Sequence, residues 1–371
     1  MSTESQNNKF EGWAAQGKDS IKGKMEWIDY TDKVKPFCDD DVEIKILYVG
    51  ICASDLHTMS GGWGDVPYPQ VVGHEICGYA VRVGSKVTHV KVGDLVGVGA
   101  QNDSCLKCDE CKADLEPHCA EGQVGTYAGT YSRQPEAKGS RSFGGYANYH
   151  RAPAHFVVPI PKELDPASAA PLMCGGVTVY NPLKKYGAGT EAKDVGIVGI
   201  GGLGHFGLLF AKALGANVTA ISHSESKKED AKKMGADRFI ATHSASDDDF
   251  APYKRSLDLI ICTTNDAEMP ILGYLSLLRP GGKAILVGAP EKPLPELPAF
   301  PFILNNVFLG GSAIGSPKVI QEMLEFAAEK KVQPWIVKRP LKDANQAVVD
   351  MHASKARYRY VLINEENGGK F

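Results

Sequence analysis

The stretch DVGIVGIGGLGHFGLLFAKAL (194–214) runs from an apolar segment through a glycine-rich turn into a helix-forming segment. Its glycines follow the spacing G-x-G-x-x-G directly after the apolar run. Glycines so placed permit a tight turn and let backbone N–H groups at a helix start approach a pyrophosphate. The string alone is weak evidence, and a structural turn is the alternative, but its position between a strand and a helix favours a dinucleotide site. The expected contacts are Gly199, Gly201, Gly202, Leu203 and Gly204.

Short β-rich runs alternate with helix-like segments around this stretch. The runs are 195–199, 218–222, 257–263 and 284–288, and the segments between them are 203–214, 225–234 and 268–278. This alternation predicts a parallel sheet covered by helices on both faces. The residues before about 159 differ, because runs such as 42–49 and 78–83, punctuated by glycine, predict a strand-rich region. A proline-rich loop is followed by further elements, at 305–311 (strand), 317–330 (helix) and near 357–363 (strand).

The composition of the 371 residues suits a globular protein of two or three domains. A formal net charge of −3 gives no general attraction to nucleic acid or anionic lipid, so we expect neither as a partner. The stretch 195–211 has no charged residue, but it is glycine-rich and short for a membrane span, so it predicts a buried strand, turn and helix. The N-terminal segment 1–20 is polar and lacks the apolar core of a signal peptide, which favours the cytoplasm.

Four of the nine cysteines, Cys105, Cys108, Cys111 and Cys119, crowd into fifteen residues. Their spacing is typical of a closed, all-cysteine zinc site that stabilises a lobe too small for a core of its own. Free thiols or two disulfides are the alternatives, and an odd cysteine count argues against a disulfide framework. A nucleic-acid-binding finger is disfavoured because residues 101–120 carry five acids and two lysines. We therefore expect a structural zinc lobe at 100–120.

A second set of metal-binding side chains is spread along the chain. Cys52, His74 and Cys174 lie far apart in sequence, which is usual for a catalytic site assembled by the fold. Two cysteines and one histidine leave the fourth position of zinc for water or a substrate oxygen. Taken singly, each residue is more often part of a core or a surface. However, His74 stands in GHE, where Glu75 adds a carboxylate, and Cys52 opens a compact polar run.

Several strings occur in an order that is typical of one family. They are GICASDLH (50–57), GHEICG (73–78), the four-cysteine lobe, MCGGVTVY (173–180) and GIGGLGHFG (199–207). In this order they resemble the zinc-containing medium-chain alcohol dehydrogenases. The strings GGLGHFG, VTAIS, KKMGAD and GSAIGS are similar to those of the cinnamyl-alcohol-dehydrogenase branch, which includes fungal NADP-dependent aldehyde reductases. The resemblance covers roughly residues 25–365.

The resemblance implies roles for the residues around the catalytic zinc. The two cysteines and the histidine of the spread-out set are its ligands, and Glu75 is an outer or alternate ligand. Asp55 hydrogen-bonds the second nitrogen of the zinc-binding histidine and fixes its tautomer. Ser54 takes the alcohol proton, which leaves by way of the cofactor ribose and His57.

The end of the β-rich run VTAISHSES (218–226) bears on the choice of cofactor. NAD enzymes normally place an acid here to hold the ribose 2′-hydroxyl, whereas this chain has Ser222. Without a carboxylate a 2′-phosphate is not repelled, and hydroxyls together with a cation can bind it. In the family branch this serine and the later Lys227 accompany NADP, although an arginine commonly stands where His223 is. We therefore expect NADP, while Lys227 taken alone would be a solvated helix lysine.

The resemblance assigns further residues to the cofactor and the substrate. The additional cofactor residues are Thr178, Val287, Ser312 and Arg359. Arg359 would meet the pyrophosphate, and a structural ion pair is the alternative. Trp63 and Ile314 would line the substrate pocket, with core packing as the alternative for Trp63.

Together these features predict an α/β protein. A β-rich, GroES-like catalytic domain comprises residues 1–175 and 315–371, and a doubly wound Rossmann domain for the dinucleotide comprises 176–314. The expected function is a zinc-dependent alcohol dehydrogenase or aldehyde reductase with two zinc ions per chain. It would transfer hydride between NADP(H) and a primary alcohol or aldehyde, either aromatic (cinnamyl-type) or medium-chain aliphatic. A zinc polyol dehydrogenase and a catalytically silent dinucleotide-binding or regulatory protein are the alternatives. We also expect a homodimer through the strand 305–311, because an apolar sheet edge seeks a partner.

Overall fold

The structure, a computed structural model, describes residues 8–243 and 247–371. Part of the polar segment 1–20 therefore lies outside the described residues. The chain divides into two compact units, and the first is made from both ends of the chain. Unit 1 comprises Met1–Cys174, Gly315–Ala328 and Ile336–Phe371, and unit 2 comprises Gly175–Ile314 and Glu329–Trp335.

The elements of the described residues follow in chain order. The strands are β1 (Glu11–Ala15), β2 (Glu26–Asp29), β3 (Asp41–Gly50), β4 (Gln70–Val71), β5 (Glu75–Val83), β6 (Leu95–Val98), β7 (Gln101–Asp103), β8 (Val124–Gly125), β9 (Tyr149–Pro153), β10 (Val157–Pro159), β11 (Asp194–Val198), β12 (Asn217–Ser222), β13 (Arg238–Ala241), β14 (Leu257–Cys262), β15 (Leu278–Leu286), β16 (Phe308–Gly311), β17 (Ile336–Pro340) and β18 (Arg359–Ile363). The α-helices are α1 (Ala53–Ser60), α2 (Asp109–Lys112), α3 (Pro166–Pro171), α4 (Val177–Lys185), α5 (Gly202–Ala213), α6 (Lys228–Lys233), α7 (Asp247–Phe250), α8 (Ile271–Ser276), α9 (Phe300–Asn305), α10 (Pro317–Lys330) and α11 (Ala344–His352). A π-helical turn, Leu172–Gly176, joins α3 to α4.

The main sheet of unit 1 has seven strands in the order β10-β6-β5-β3-β18-β17, with β9 also paired to β3. The long strand β3 is its centre and runs antiparallel to β5, β9 and β18. Nearly all residues of β3 are buried, because α3 packs against β3 and β5. Apolar side chains such as Ile44, Ile76 and Leu362 form the core of this unit. A smaller sheet, β2-β1-β4, and the pair β7-β8 complete it.

Unit 2 contains a six-stranded sheet in the order β13-β12-β11-β14-β15-β16, and every neighbouring pair is parallel. The chain winds outward from β11 to β13 and then returns to continue from β14 on the other side of β11. Ligands of such doubly wound sheets bind at the carboxyl ends of the strands where this order reverses. The prediction of a doubly wound parallel sheet is confirmed.

Three elements differ from the sequence prediction. The expected helix 225–234 is a 3-10 turn (Glu225–Lys227) followed by α6. The expected helix 268–278 shortens to α8, because the residue before Pro270 avoids the helical conformation and β15 begins at once afterwards. The expected strand 305–311 begins only at Phe308, since α9 reaches Asn305 and Asn306 ends it in a left-handed conformation (φ 51°).

Among the helices in the described ranges, none is both long enough and apolar enough to cross a membrane. The uncharged stretch 195–211 forms most of β11, the glycine-rich turn and most of α5.

Candidate zinc and dinucleotide sites

Cys52 lies where the main chain leaves β3 and enters α1. Its backbone N–H donates to Asp55 Oδ2 (2.9 Å), so the buried aspartate caps the helix and fixes the cysteine. Ser54 follows, with its Oγ 3.6 Å from the Cys52 Sγ. His57 lies three residues further along the helix, on the same face as Ser54. The indole of Trp63 stacks on the His57 ring, with the ring centroids 4.7 Å apart. One short helix therefore presents a thiol, a hydroxyl and an imidazole.

His74 and Cys174 join Cys52 in a buried cluster. The His74 Nε2 lies 3.1 Å from the Cys174 Sγ, and the π-helical turn between α3 and α4 presents that thiol. The ligand atoms of Cys52, His74, Glu75 and Cys174 lie within 4.8 Å of one another, and all four residues are buried. Two thiols and an imidazole are the donor set of a catalytic zinc with three protein ligands. These residues fit the ion that the sequence implies.

The orientation of His74 is set by Asp55. The His74 Nδ1 donates to Asp55 Oδ1 at 2.9 Å, and Asp55 is fully buried. A proton held on Nδ1 leaves the lone pair of Nε2 on the side of the Cys174 thiol. This is how outer carboxylates fix the tautomer of a metal-binding histidine.

Glu75 begins β5, and Arg359 begins β18. Their buried side chains form an ion pair, the second of the two interpretations that the sequence left open for Arg359. Its contact with a pyrophosphate stays a prediction. Burial raises the pKa of Glu75 to about 8, although the positive charge of Arg359 acts to lower it. The hydrogen bond from the Cys174 thiol, together with the charge of Arg359, lowers the pKa of Cys52 well below its ordinary value. A low pKa favours the thiolate, the form that binds zinc.

The four clustered cysteines form a second set of converging thiols between β7 and β8. The sulfurs of Cys105 and Cys111 are 4.0 Å apart, and those of Cys108 and Cys119 are 3.9 Å apart. A disulfide needs about 2.05 Å, whereas zinc–sulfur bonds of about 2.3 Å in a tetrahedron place sulfurs about 3.8 Å apart. Backbone N–H groups, that of Lys107 foremost, donate to the Cys105 sulfur and lower its pKa to about 7. The lobe fits a closed zinc site.

The glycine-rich turn follows β11 and opens α5. Gly199 has a positive φ of 84°, and a Cβ on Gly204 would lie 1.7 Å from the carbonyl oxygen of Gly199, so the turn tolerates no side chain there. A Cβ on Gly201 would meet nothing within 4 Å, so the backbone is open at that point. Gly202 and Leu203 are the first residues of the helix, where N–H groups lack intrahelical partners. The turn therefore fits a dinucleotide pyrophosphate.

The end of β12 lies next to this turn, with Ser222 as its last residue and His223 directly after it. Lys227 closes the 3-10 turn that follows. β12 is the parallel neighbour of β11, so Ser222 lies at the same edge of the sheet as the glycines. Ser222 is buried and His223 is exposed. The Lys227 Nζ donates to the carbonyl oxygen of Ile200 (2.6 Å), which brings a positive charge to the glycine-rich turn.

The remaining predicted cofactor residues also belong to unit 2. Val287 and Ser312 each follow the last residue of a strand, β15 and β16, so both lie at the carboxyl edge of the sheet. Thr178 is buried on α4. Ile314, which the sequence assigned to the substrate pocket, accepts a hydrogen bond from the Asn181 side chain (2.7 Å) through its carbonyl oxygen.

Sequence reasoning missed two tyrosines beside the cluster. The Tyr146 hydroxyl donates to Asp55 Oδ2 (2.9 Å), and the Tyr127 hydroxyl lies 3.1 Å from the His74 Nδ1. Neither tyrosine stands in a metal-binding or glycine-rich motif. The only local signal for Tyr146 is its position after two glycines, in GGY (144–146).

Comparison with known proteins places the chain in one family. Residues 38–162 match the alcohol dehydrogenase GroES-like domain, and residues 202–329 match the zinc-binding dehydrogenase domain. The 8-hydroxygeraniol dehydrogenase of Catharanthus roseus is 44% identical over 352 residues, covering 95% of this chain and 94% of the relative.

Solved structures give the same result. The cinnamyl alcohol dehydrogenase of Sorghum bicolor is 37% identical, with a TM-score of 0.89 over 98% of this chain and 99% of that one. The CAD enzyme of Helicobacter pylori, complexed with NADP(H), is 35% identical, with a TM-score of 0.86 over 96% and 99%. The chain belongs to the zinc-binding alcohol dehydrogenases, in the neighbourhood of the cinnamyl alcohol dehydrogenases. The predicted family, with its GroES-like and Rossmann domains, is thereby confirmed.

Proposed function

We propose that this chain is an NADP(H)-dependent zinc alcohol dehydrogenase that interconverts primary alcohols and aldehydes. The observation that carries the proposal is the buried cluster in which Cys52, His74 and Cys174 converge with Glu75. The Ser54 hydroxyl, 3.6 Å from the Cys52 sulfur, adds a group that can take a proton. Alcohol oxidation needs a Lewis acid at the oxygen, a proton acceptor and a hydride acceptor.

When bound, zinc polarises the substrate oxygen and NADP(H) exchanges hydride with the substrate carbon. The two cysteines and His74 would hold the metal, and Asp55 keeps His74 in the required tautomer. During oxidation Ser54 relays the alcohol proton, since its oxygen accepts that proton while its own hydroxyl proton passes on towards His57, and aldehyde reduction reverses the relay. His57, on the same face of α1 and partly exposed, exchanges that proton with solvent.

The preference for NADP(H) is inferred from the end of β12. Ser222 occupies the position where a carboxylate would repel a 2′-phosphate, and residues 222–224 contain no acid. Lys227 adds a positive charge beside the glycine-rich turn. The Helicobacter pylori relative, which matches almost all of the chain, was solved with NADP(H). The same phosphate recognition is therefore proposed here.

The proposed substrates are aromatic (cinnamyl-type) or medium-chain aliphatic primary alcohols and their aldehydes. Two of the relatives are named for 8-hydroxygeraniol and cinnamyl alcohol, both primary alcohols with a large apolar body, and a third, of Petroselinum crispum, is named for mannitol, which the assay below includes. The half-exposed indole of Trp63, stacked on His57, offers an apolar surface next to the proposed proton-exit residue.

The test is a turnover assay with the zinc-loaded protein. Cinnamaldehyde, hexanal and, for the reverse reaction, cinnamyl alcohol and mannitol are offered with NADP(H) and with NAD(H). We expect rapid NADPH-dependent reduction of the aldehydes and little oxidation of mannitol. Mannitol as the best substrate would favour the polyol dehydrogenase. Binding of NADPH without turnover of any compound would favour the silent regulatory protein.

We also propose that the chain forms a homodimer through β16. This strand lies at an edge of the six-stranded sheet, with β15 as its neighbour. The preceding helix α9 exposes three large apolar side chains, Phe300, Ile303 and Leu304, to 69%, 69% and 75%. A sheet edge beside such a patch is suited to pairing with a second copy.

The cytoplasm is the proposed compartment. All nine cysteines lie in the described residues, and none forms a disulfide. Both thiol clusters need reduced sulfur to bind metal, and a reducing compartment keeps the sulfur in that form.

A further inference from the structure

The carboxylate of Asp55 is surrounded by hydrogen-bond donors. Its Oδ1 accepts from the His74 Nδ1 (2.9 Å) and from the backbone N–H of Gly73 (3.2 Å). Its Oδ2 accepts from the backbone N–H of Cys52 (2.9 Å) and from the Tyr146 hydroxyl (2.9 Å). Three of these donors belong to the zinc-binding residues or their backbone neighbours. Tyr146 is the exception, since it comes from a distant part of the sequence.

Tyr146 is fixed against the segment that carries His74. The backbone N–H of Tyr146 donates to the Val72 carbonyl (2.9 Å), and that of Gly145 donates to the Gly73 carbonyl (2.8 Å). The ring packs directly on Gly73, because a Cβ there would lie 2.4 Å from the Tyr146 Cδ1. Tyr146 itself is fully buried. The position of its hydroxyl is thus set by main-chain bonds and by packing.

The Tyr146 hydroxyl is one of the four donors that hold the Asp55 carboxylate. Without it, Oδ2 keeps one donor, the N–H of Cys52, and a buried carboxylate oxygen loses a charge-assisted hydrogen bond. The carboxylate can then rotate, and the His74 ring that it orients becomes less constrained. Loss of the direct partner of a metal-binding histidine, here Asp55, typically lowers metal affinity about 10- to 100-fold, so loosening that partner should have an effect at the lower end of this range.

We propose that Tyr146 is a positioning residue of the catalytic zinc site, which acts on His74 through Asp55. This inference rests on the proposed function, because it requires that Cys52, His74 and Cys174 hold zinc. Tyr146 is not among the residues whose ligand atoms converge in the cluster. Its contribution is to fix the angle of the His74 imidazole. Loss of the Tyr146 hydroxyl should therefore first cause faster release of one of the two zinc ions.

The experiment measures zinc release from the holoenzyme to a chromogenic chelator, without substrate or cofactor. Tyr146→Phe removes one oxygen atom and keeps the ring. The matched control is Tyr131→Phe, since Tyr131 is a buried tyrosine of the same unit whose hydroxyl is bonded to Asn102, away from this cluster. We expect release of one zinc per chain about 10-fold faster in Tyr146→Phe than in the wild type. Tyr131→Phe should release that zinc at the wild-type rate, and the four-cysteine zinc should be unaffected in both variants.

A double-mutant comparison separates positioning from general packing. In an Asp55→Ala background the hydroxyl has no carboxylate to hold, so adding Tyr146→Phe should leave the release rate unchanged. An undiminished effect in that background, or equal rates for Tyr146→Phe and the wild type, would overturn the inference while the proposed function stands. A wild-type protein that contains only the four-cysteine zinc would overturn both.

Discussion

Cys174 and Cys108 belong to two thiol clusters for which we propose different roles. Cys174 lies in a π-helical turn next to His74, in the cluster that would hold the catalytic zinc and leave it a position for substrate. Cys108 caps the short helix α2 in a lobe whose other ordered elements are brief. Removing one ligand should therefore affect catalysis in the first case and folding in the second.

We expect Cys174→Ala to lower the turnover of cinnamaldehyde at least about 100-fold, since the Lewis acid is lost, while the melting temperature changes little. Cys108→Ala should lower the melting temperature and the soluble yield first, because the closed site contributes folding free energy. Zinc content, circular dichroism and turnover measured on both variants check this. Wild-type turnover in Cys174→Ala would contradict the assignment of the two clusters.

Among single residues, the sequence predicts those that stand in a recognisable local motif. The four-cysteine spacing and the GHE string are local signals, and the structure brings Cys52 next to Cys174 across more than a hundred residues. Tyr146 could not be predicted, because an aromatic residue after two glycines is equally suited to a core. Only the pairing of residues 144–146 with 71–73 shows that its hydroxyl reaches Asp55.

At the scale of elements, we expect the end of β12 and the turn that follows it to determine which cofactor the enzyme prefers. Ser222→Asp should raise the Michaelis constant for NADPH about 10- to 100-fold, since a carboxylate repels the 2′-phosphate and a hydrogen bond is lost. The same variant should lower the Michaelis constant for NADH, because the new acid can hold the ribose 2′-hydroxyl. Kinetics with both cofactors give the answer. Equal efficiency of NADH and NADPH in the unmodified enzyme would refute this reading of the loop.

Lys227 needs a subtler variant, because its amine also donates to the Ile200 carbonyl. Lys227→Gln keeps a donor for that carbonyl and removes the charge. Like Ser222→Asp, this variant tests the preference for NADPH. It should weaken the binding of NADPH with little effect on the binding of NADH. Lys228→Gln is the matched control, since the adjacent lysine is exposed and lies 3.5 Å from Glu225.

The edge strand β16 supports a prediction about assembly. The native mass should be twice the chain mass of 39.9 kDa at micromolar concentration. Leu304→Glu combined with Phe308→Glu places charges on the exposed apolar surface of α9 and β16 and should weaken the dimer at least about 100-fold. Val92→Glu, at an apolar residue of unit 1 that is 66% exposed, is the control. Sedimentation measures all three proteins, and a monomeric wild type would exclude the dimer.

Elements were predictable where a periodic pattern repeats. The β-branched runs between 195 and 288 alternate with helix-forming segments, which is enough to predict a parallel sheet. Helix α9 could not be predicted, because five prolines between 290 and 301 indicate a loop. Pro301 is tolerated since it stands in the first turn, where its missing N–H has no helical partner to lose. The expected strand 305–311 is consequently shorter.

The stability of the whole molecule should depend on His150. This residue lies on β9, in the centre of unit 1, and is buried against the Asn102 side chain, 3.3 Å from its Nε2. Burial lowers the pKa of His150 to about 4. The unfolded chain has a histidine pKa of about 6.5. Between about pH 6.5 and about pH 4 His150 is protonated in the unfolded state but neutral in the folded state. The free energy of unfolding therefore decreases as the pH falls through this window.

From pH 7 to pH 5 this group should therefore remove about 2 kcal/mol from the free energy of unfolding. His150→Gln lacks the titrating group, and its stability should fall less steeply over the same range. Denaturant unfolding at both pH values compares it with the wild type and with His352→Gln, at an exposed histidine on α11. If all three proteins lost the same free energy, His150 would not be responsible for the slope.

Unit 1 is built from both ends of the chain, and its strand β18 lies between β3 and β17. A ribosome releases the N-terminal part first, so Cys52, His74 and Cys174 emerge long before β18 is synthesised. Until then the nascent chain has neither the strand that completes the pairing of β3 nor the arginine that pairs with Glu75. The growing polypeptide thus carries the thiols of Cys52 and Cys174 before the sheet around them is complete. We therefore expect the catalytic metal to be loaded late, after Arg359 has been synthesised and can pair with Glu75.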